Sequence, residues 1–287
     1  ALGIFEMPQP RYAAFDEPDE VVGLIERIGG FPCVVKPVGL SASQGVIRAD
    51  DAASALAAAT RAQKISGGGR LLVEQYIAGT EVAVEGLLRS GTLEVLAVFD
   101  KPDPMEGPYF EETIYVTPSR LGASILEEIA RTTAEACAAI GLTEGPVHAE
   151  LRVDGERAWI IEVAARSIGG LCARALQFGA GISLEEVILR HSLGMSLEGL
   201  ERELHASGVM MIPIPRAGTL IGVGGREEAL AIPGILGLEI TVPPGRSIAP
   251  PPEGDRYLGF LFAKAMTPAA VEASLRSAHA LLTINIA

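Results

Sequence analysis

The sequence predicts an acidic protein of mixed α/β class, on three observations. Strand-like and helix-like segments alternate over its first two-thirds. No apolar run approaches the ~20 residues that span a bilayer. Of its 287 residues, 48% are hydrophobic and 21% charged, too apolar a balance for a disordered chain. That length fits one large or two modest domains. Lys and Arg number 23 against 36 Asp and Glu, a formal net charge of −13. Such a balance disfavours a nucleic-acid groove or an anionic membrane as partner. The three cysteines, Cys33, Cys137 and Cys172, are odd in number and far apart. They suit neither a disulfide framework nor a zinc cluster and point to a reducing, cytoplasmic setting. Residues 1–6 lack a basic n-region and an initiator Met, so they read as a cut or processed end rather than a signal peptide.

The elements follow in order. Residues 31–37 form a β-rich run stopped by Pro37. Asp50 and Asp51 cap an alanine-rich helix that reaches about Lys64, and 66–69 is a glycine loop. Strands are expected at 71–74, 81–88 and 93–99, the last two joined at Ser90-Gly91. A long acidic loop covers 101–112. Ile125, Ile129, Ala136 and Ile140 recur at helical spacing over 124–140, and Gly141 ends that helix. Strands at 147–153 and 158–164 meet through Asp154-Gly155. Helices are expected at 185–193 and 197–204. Beyond Gly208 the texture changes to short strands punctuated by prolines, closed by a helix at about 268–282. This shift predicts a domain boundary near Ser207.

The familiar nucleotide and hydrolase signatures are missing: no G-x-x-x-x-G-K-[ST], no G-x-G-x-x-G after a strand, no G-x-S-x-G, no H-E-x-x-H. Gly222-Val223-Gly224-Gly225 reads as a turn, since Glu227 stands where a dinucleotide loop needs glycine. Lys36 ends a strand and precedes a small-residue loop from Gly39 to Gly45. Together they can bring an ammonium and several backbone amides to a polyphosphate. Taken alone, Lys36 reads better as a lysine snorkelling at a strand end beside an ordinary loop. The strand at 71–77 runs into Ala78-Gly79, and its exit can offer a carbonyl and an amide to an adenine edge. Val46 and Ile77 then serve as apolar walls and Glu81 as acceptor for ribose hydroxyls. The plainer alternative is an edge strand with solvated acids.

The hairpin at 147–164 is the most informative stretch. His148, Glu150 and Arg152 alternate onto one face, and the second strand, otherwise apolar, carries Glu162 and then Arg166. A glutamate in such a strand is costly unless paired. The partner is either a shared Mg²⁺, which favours carboxylate oxygens, or Arg166 or Arg152 in a structural ion pair. A two-residue Asp-Gly turn puts Glu150 and Glu162 on opposite faces; a three-residue connection puts them on the same one. Metal sharing therefore predicts a bulged three-residue loop over 154–156 with Gly155 at positive φ. Gly169-Gly170 permits close backbone approach just after Arg166.

Lys36, the loop from Gly39 to Gly45, Glu74-Gln75-Tyr76-Ile77, Glu150 and Glu162-Val163-Ala164-Ala165-Arg166 occur in an order and spacing that resemble the ATP-grasp superfamily over residues 8–207. Arg166-Ser167-Ile168-Gly169-Gly170 and Tyr257-Leu258-Gly259-Phe260 are most similar to its carboxylate–amine ligases, notably the L-amino-acid ligases. The resemblance implies an α+β fold of two lobes clasping ATP over 1–207, with a lid at about 31–99 and a small β-rich C-terminal domain over 208–287. It implies phosphorylation of a carboxylate by ATP to an acyl phosphate, and amine attack to give an amide or dipeptide, ADP and phosphate. Lys36, Ser41, Ala42, Ser43 and Gln44 are then phosphate ligands, with Lys101 as a further one. Val46, Glu74, Gln75, Tyr76, Ile77 and Glu81 hold the nucleoside. Glu150 and Glu162 bind Mg²⁺ or Mn²⁺. Arg166 and amides near Gly169 stabilise the acyl phosphate and tetrahedral intermediate, while Glu112 and His148 lie on the substrate side.

Three departures accompany the resemblance. The family's Rossmann-like N-terminal domain has no counterpart before Phe31. Ala164 stands where a further metal-ligating Asn often lies, which bears on the number of ions. The biotin and bicarbonate signature is missing. Partners are then an amino acid or other carboxylate plus an amine, with a homo-oligomer open and no nucleic acid or membrane. The runner-up readings are a non-catalytic ATP-binding module, and a biotin-carboxylase-like or D-alanine-ligase-like enzyme.

Overall fold

A computed structural model describes residues 7–179, 181–203 and 205–287. The expected chain-end character of residues 1–6 lies outside the described residues, as does Leu204.

The first layer is built from β1 (Tyr12–Phe15), α1 (Val21–Ile28), β2 (Cys33–Pro37), β3 (Ile47–Ala49), α2 (Ala52–Ser66) and β4 (Leu71–Gln75). Its four antiparallel strands run in the order β1-β4-β2-β3. Asp51 caps α2 by accepting from the Ser54 N–H, and Ser54 returns the bond to the Asp51 amide, so the helix start is satisfied from both sides. Ala55, Ala58, Ala59 and Ala62 form a stripe at helical spacing that lets α2 lie close on Cys33, Val35, Leu71 and Val73. Alternation then dictates the other face. Cys33 and Val35 are buried beneath the helices, and Val34 and Lys36 emerge on the opposite side, toward a cleft. β1 and α1 had no assigned counterpart in the sequence.

The second layer is one eight-stranded sheet in the order β14-β16-β12-β7-β6-β5-β8-β9. Its strands are β5 (Thr80–Arg89), β6 (Thr92–Asp100), β7 (Ile114–Thr117), β8 (Gly145–Asp154) and β9 (Arg157–Ala164), with α3 (Ala123–Ala139) packed behind β9. After the short pair β10 (Gln177–Phe178) and β11 (Ile182–Ser183) come α4 (Leu184–Ser192) and β12 (Ala206–Ile212). Then follow β13 (Gly218–Gly224), α5 (Arg226–Leu230), β14 (Ile235–Ile240), β15 (Ser247–Ile248), β16 (Gly259–Ala265), α6 (Pro268–Ala280) and β17 (Thr283–Ile286). β13, β15 and β17 make a separate small sheet, and α6 covers β12 and β16.

Two expectations are corrected, and a third, the domain boundary, is located in the sheet. The lid expected over 31–99 is divided: its first part lies in the four-stranded layer from β1 to β4, while β5 and β6 belong to the large sheet. The boundary expected near Ser207 lies at the start of β12, which pairs with β7 on one side and β16 on the other, so the C-terminal part shares the large sheet with the part before it. The helix expected over 197–204 does not form across its described residues. Gly194 and Gly199 there adopt φ of 65° and 76°, and Leu197 and Leu200 pack on the core from an irregular segment. Among the described residues, no helix is long and apolar enough to cross a membrane.

Candidate active site

A cavity of about 660 Å³ separates the helix-free face of the first layer from the large sheet. Every residue that the resemblance assigned to nucleotide, metal or substrate lines it, apart from Lys101.

On the upper wall, Lys36 is paired with Glu74 at 2.7 Å, diagonally across β2 and β4. The loop from Ser41 to Val46 turns by backbone bonds from Gln44 N–H to the Ser41 carbonyl (3.2 Å) and from Val46 N–H to the Ser43 carbonyl (3.1 Å). Ala42 and Ser43 sit at φ of 53° and 55°, left-handed conformations that cost about 1–3 kcal/mol unless their surroundings enforce them. That enforcement comes from afar. Gly45 N–H donates to the Pro252 carbonyl (2.9 Å), the Gln44 side-chain amide to the Glu253 carbonyl (3.0 Å), and Arg61 on α2 holds the Glu253 carboxylate at 2.6 and 2.9 Å.

At the exit of β4, two hinge groups are already engaged. Tyr76 N–H donates to the Pro32 carbonyl (3.2 Å), and the Ile77 carbonyl accepts from Arg152 (2.7 Å). The Tyr76 ring lies under the Arg48 and Arg152 guanidiniums, 4.4 and 5.0 Å from its centroid. Gly79 turns the chain into β5 at φ 108°, where a Cβ would lie 2.0 Å from the Val153 carbonyl oxygen.

The floor is a buried charge network. Across β5 and β8 the pairs are Glu81 with Arg152, Ala83 with Glu150, and Glu85 with His148. Arg152 donates to Glu81 at 2.9 Å, and Lys101 Nζ lies 2.7 Å from Glu81, 2.6 Å from Glu112 and 3.4 Å from Glu150. Tyr115 (2.5 Å) and Tyr257 (3.0 Å) donate their hydroxyls to Glu112. Burial opposes the charge on Lys101, but Glu112, Glu150 and Glu81 outweigh it and hold this ammonium well above the usual lysine range. Burial likewise pushes Glu112 up, and Lys101 with the tyrosine hydroxyl overrides it, bringing it to about 2. Glu150 is raised by burial and by its acidic neighbours in spite of Lys101. Burial would lower His148, yet Glu150 (3.4 Å) and Glu85 (2.5 Å) on its two nitrogens raise it to about 9.

Two expected roles change here. Lys101 is 3% exposed and bound by three carboxylates, so it is the internal cation of the floor rather than a free phosphate ligand. Glu81 has both oxygens on cations, which differs from the ribose acceptance expected of it. The cluster Glu81, Glu112 and Glu150 has its oxygens within 4.8 Å of one another, and the Lys101 ammonium already fills it.

Glu150 and Glu162 stand directly opposite each other on β8 and β9. The route to that register differs from the three-residue loop expected. Asp154 pairs with Arg157 around a two-residue connection, Gly155-Glu156, with Gly155 at φ 62°. That turn alone would separate the carboxylates. A bulge between Glu150 and Leu151 leaves Ile161 unpaired, shifts the register by one and brings them to the same face. Arg166 lies 3.7 Å from Glu162, both about half exposed, a pairing of the weak surface kind. Two facing carboxylates suit a hard divalent cation, and Ala164 adds no donor. Sequence reasoning missed Glu85, Tyr115 and the anchoring segment around Glu253. The acid–base complementarity of 81–85 with 148–152 was the one available signal.

Strands clasping a cleft, a lysine strand above a small-residue loop and paired carboxylates ahead of an arginine define a nucleotide-binding class, and comparison agrees. Residues 29–175 match the ATP-grasp domain, and the chain belongs to that family. Residues 210–287 match the L-amino acid ligase C-terminal domain 2. An L-amino acid ligase from Bacillus licheniformis superposes with a TM-score of 0.83 at 28% identity, over 100% of this chain and 71% of that one. The D-alanine–D-alanine ligase of Ectopseudomonas mendocina is 29% identical over 64% of this chain and 59% of its own length. That of Pseudomonas putida is 30% identical over 66% and 59%. The chain thus spans about three-fifths of the curated ligases it matches. A Thermotoga maritima N5-carboxyaminoimidazole ribonucleotide synthetase shares the fold, with a TM-score of 0.70 at 16% identity over 100% of this chain and 70% of that one.

Proposed function

We propose that this chain is an ATP- and Mg²⁺-dependent ligase that joins a carboxylate, an amino acid being the best candidate, to an amine. The facing of Glu150 and Glu162, with Arg166 just beyond them and Lys36 on the opposite wall, carries the reading. ATP transfers its terminal phosphoryl group to the carboxylate oxygen, giving an acyl phosphate and ADP. The amine then attacks the acyl carbon, the C–N bond forms and phosphate leaves. Lys36 and the amides of the Ser41–Val46 turn hold phosphates, with Val46 and Ile77 against the base. Glu150 and Glu162 would hold Mg²⁺, which neutralises phosphate charge. Arg166 can offer paired N–H donors to the phosphoryl oxygens, and Gly169 lets the backbone approach. Glu112, fixed by Lys101, Tyr115 and Tyr257, presents negative charge toward a substrate ammonium. Chemistry here is positioning and charge stabilisation, with no covalent intermediate on the protein. The match of the C-terminal segment to an L-amino acid ligase domain favours this reading over the D-alanine-ligase-like and carboxylase-like ones. The free, buried thiols suit a reducing compartment.

The test is ADP release by the full chain with MgATP and pairs of L-amino acids, with product masses by mass spectrometry. A condensed product with stoichiometric ADP is expected. ATP binding without turnover under any pair, also when the family's N-terminal domain is supplied, would favour the non-catalytic module and overturn the ligase.

A further inference from the structure

Glu85 lies on β5 with 1% of its surface exposed, a place where a carboxylate is costly unless its oxygens are used. Both are used, and for different partners. One oxygen faces His148 Nδ1 at 2.5 Å; the other accepts the backbone N–H of Ile168 at 3.1 Å. The local backbone is shaped for this. The β5–β6 ladder slips between Glu85 and Gly86, and a side chain at Gly86 would lie 2.7 Å from Leu93 Cδ1. Ile168 belongs to the irregular stretch that leaves β9 carrying Arg166 and Gly169. His148 faces Glu150 through its other nitrogen. One buried carboxylate therefore touches the support of both halves of the proposed chemistry, the arginine segment and the Glu150 side of the hairpin.

We infer that Glu85 is a positioning residue, which ties the Arg166–Gly169 stretch to the sheet while orienting Glu150 through His148. This rests on the ligase reading for its kinetic consequence but not for its structural one. Holding groups in place before the charge develops is where such a residue acts: it raises kcat without adding to nucleotide binding.

The test uses Glu85→Gln, which keeps shape and removes charge, and Glu85→Met, which removes both bonds. Three quantities are read on the full chain: MgATP affinity by calorimetry, kcat and KM for ligation, and hydrogen exchange along residues 165–171. In Glu85→Gln, kcat is expected to fall at least tenfold with MgATP affinity within threefold. In Glu85→Met, exchange at 165–171 is expected to rise at least tenfold against the chain average. If Glu85→Met does not fold, exchange in Glu85→Gln, expected to rise at least threefold over 165–171, replaces it. A folded Glu85→Gln with kcat within twofold of the parent overturns the proposal. Exchange that rises evenly over the whole chain also overturns it, because Glu85 then only stabilises the fold. If the parent protein shows no ligation, the ligase reading fails by itself. Exchange at 165–171 then decides on Glu85, and an unchanged rate overturns it.

Discussion

The floor and the rim of the cleft carry similar charges in opposite states. On the floor, Lys101 is 3% exposed among Glu81, Glu112 and Glu150, and each acid already has its cation or hydroxyl partner. On the rim, Glu162 and Arg166 are 56% and 52% exposed and meet at 3.7 Å, and Lys36 leans on a single carboxylate. The floor's geometry is set when the chain folds, at a desolvation cost that packing elsewhere has to offset. Glu162 and Arg166 stay hydrated and lightly paired, and Lys36 has one carboxylate to release, so an incoming polyphosphate can take over these cations. Stability is thus concentrated below the ligand and responsiveness above it.

Four experiments can break or sharpen that contrast. Lys101→Met strips the cation from three buried acids and should cost about 3–5 kcal/mol of stability, read as a lowered urea midpoint. A loss under 1 kcal/mol would mean the floor is as loosely held as the rim. Glu162→Gln should leave the urea midpoint unchanged within about 0.5 kcal/mol while turnover falls ~100-fold, about 2.7 kcal/mol. The ion-pair alternative requires the reverse, lost stability with turnover kept. Lys36→Met should weaken MgATP binding tenfold or more by calorimetry, about 1.4 kcal/mol, without touching the fold. Smallest of all, Arg61→Glu or Glu253→Arg alone should weaken MgATP two- to fivefold, about 0.4–1 kcal/mol. The double swap should recover it, and a double variant as weak as either single one would show that the pair does not hold the phosphate loop.

The contrast also marks what local sequence could reveal. Period-two alternation put His148, Glu150 and Arg152 on one face, and an alanine-rich run between the Asp51 cap and the glycine loop framed α2, because those signals are carried by neighbours in the chain. The partner that straightens the Glu150–Glu162 register is the bulge at Ile161, and nothing in the apolar run around it says which residue will be left unpaired. Lys101 looked free because its three acids come from β5, β8 and the loop before β7, contacts that only long-range pairing creates. The proline-rich texture after Gly208 pointed to a C-terminal domain, which the match over residues 210–287 parallels, but no local signal said that β12 would enter the central sheet beside β7. The leucines at 197 and 200 had helical spacing, and Gly194 and Gly199 overruled it.

The short segment from Pro252 to Tyr257 touches both walls of the cleft: Pro252 and Glu253 on the loop above, Tyr257 on Glu112 below. A single short segment thus bridges the two walls, so a wider gap would have to extend its turns or break one of these contacts. Gly45 and Arg61 hold its upper end and Glu112 its lower end. The C-terminal third of the chain thereby joins the phosphate-side loop and Glu112 through one stretch of backbone.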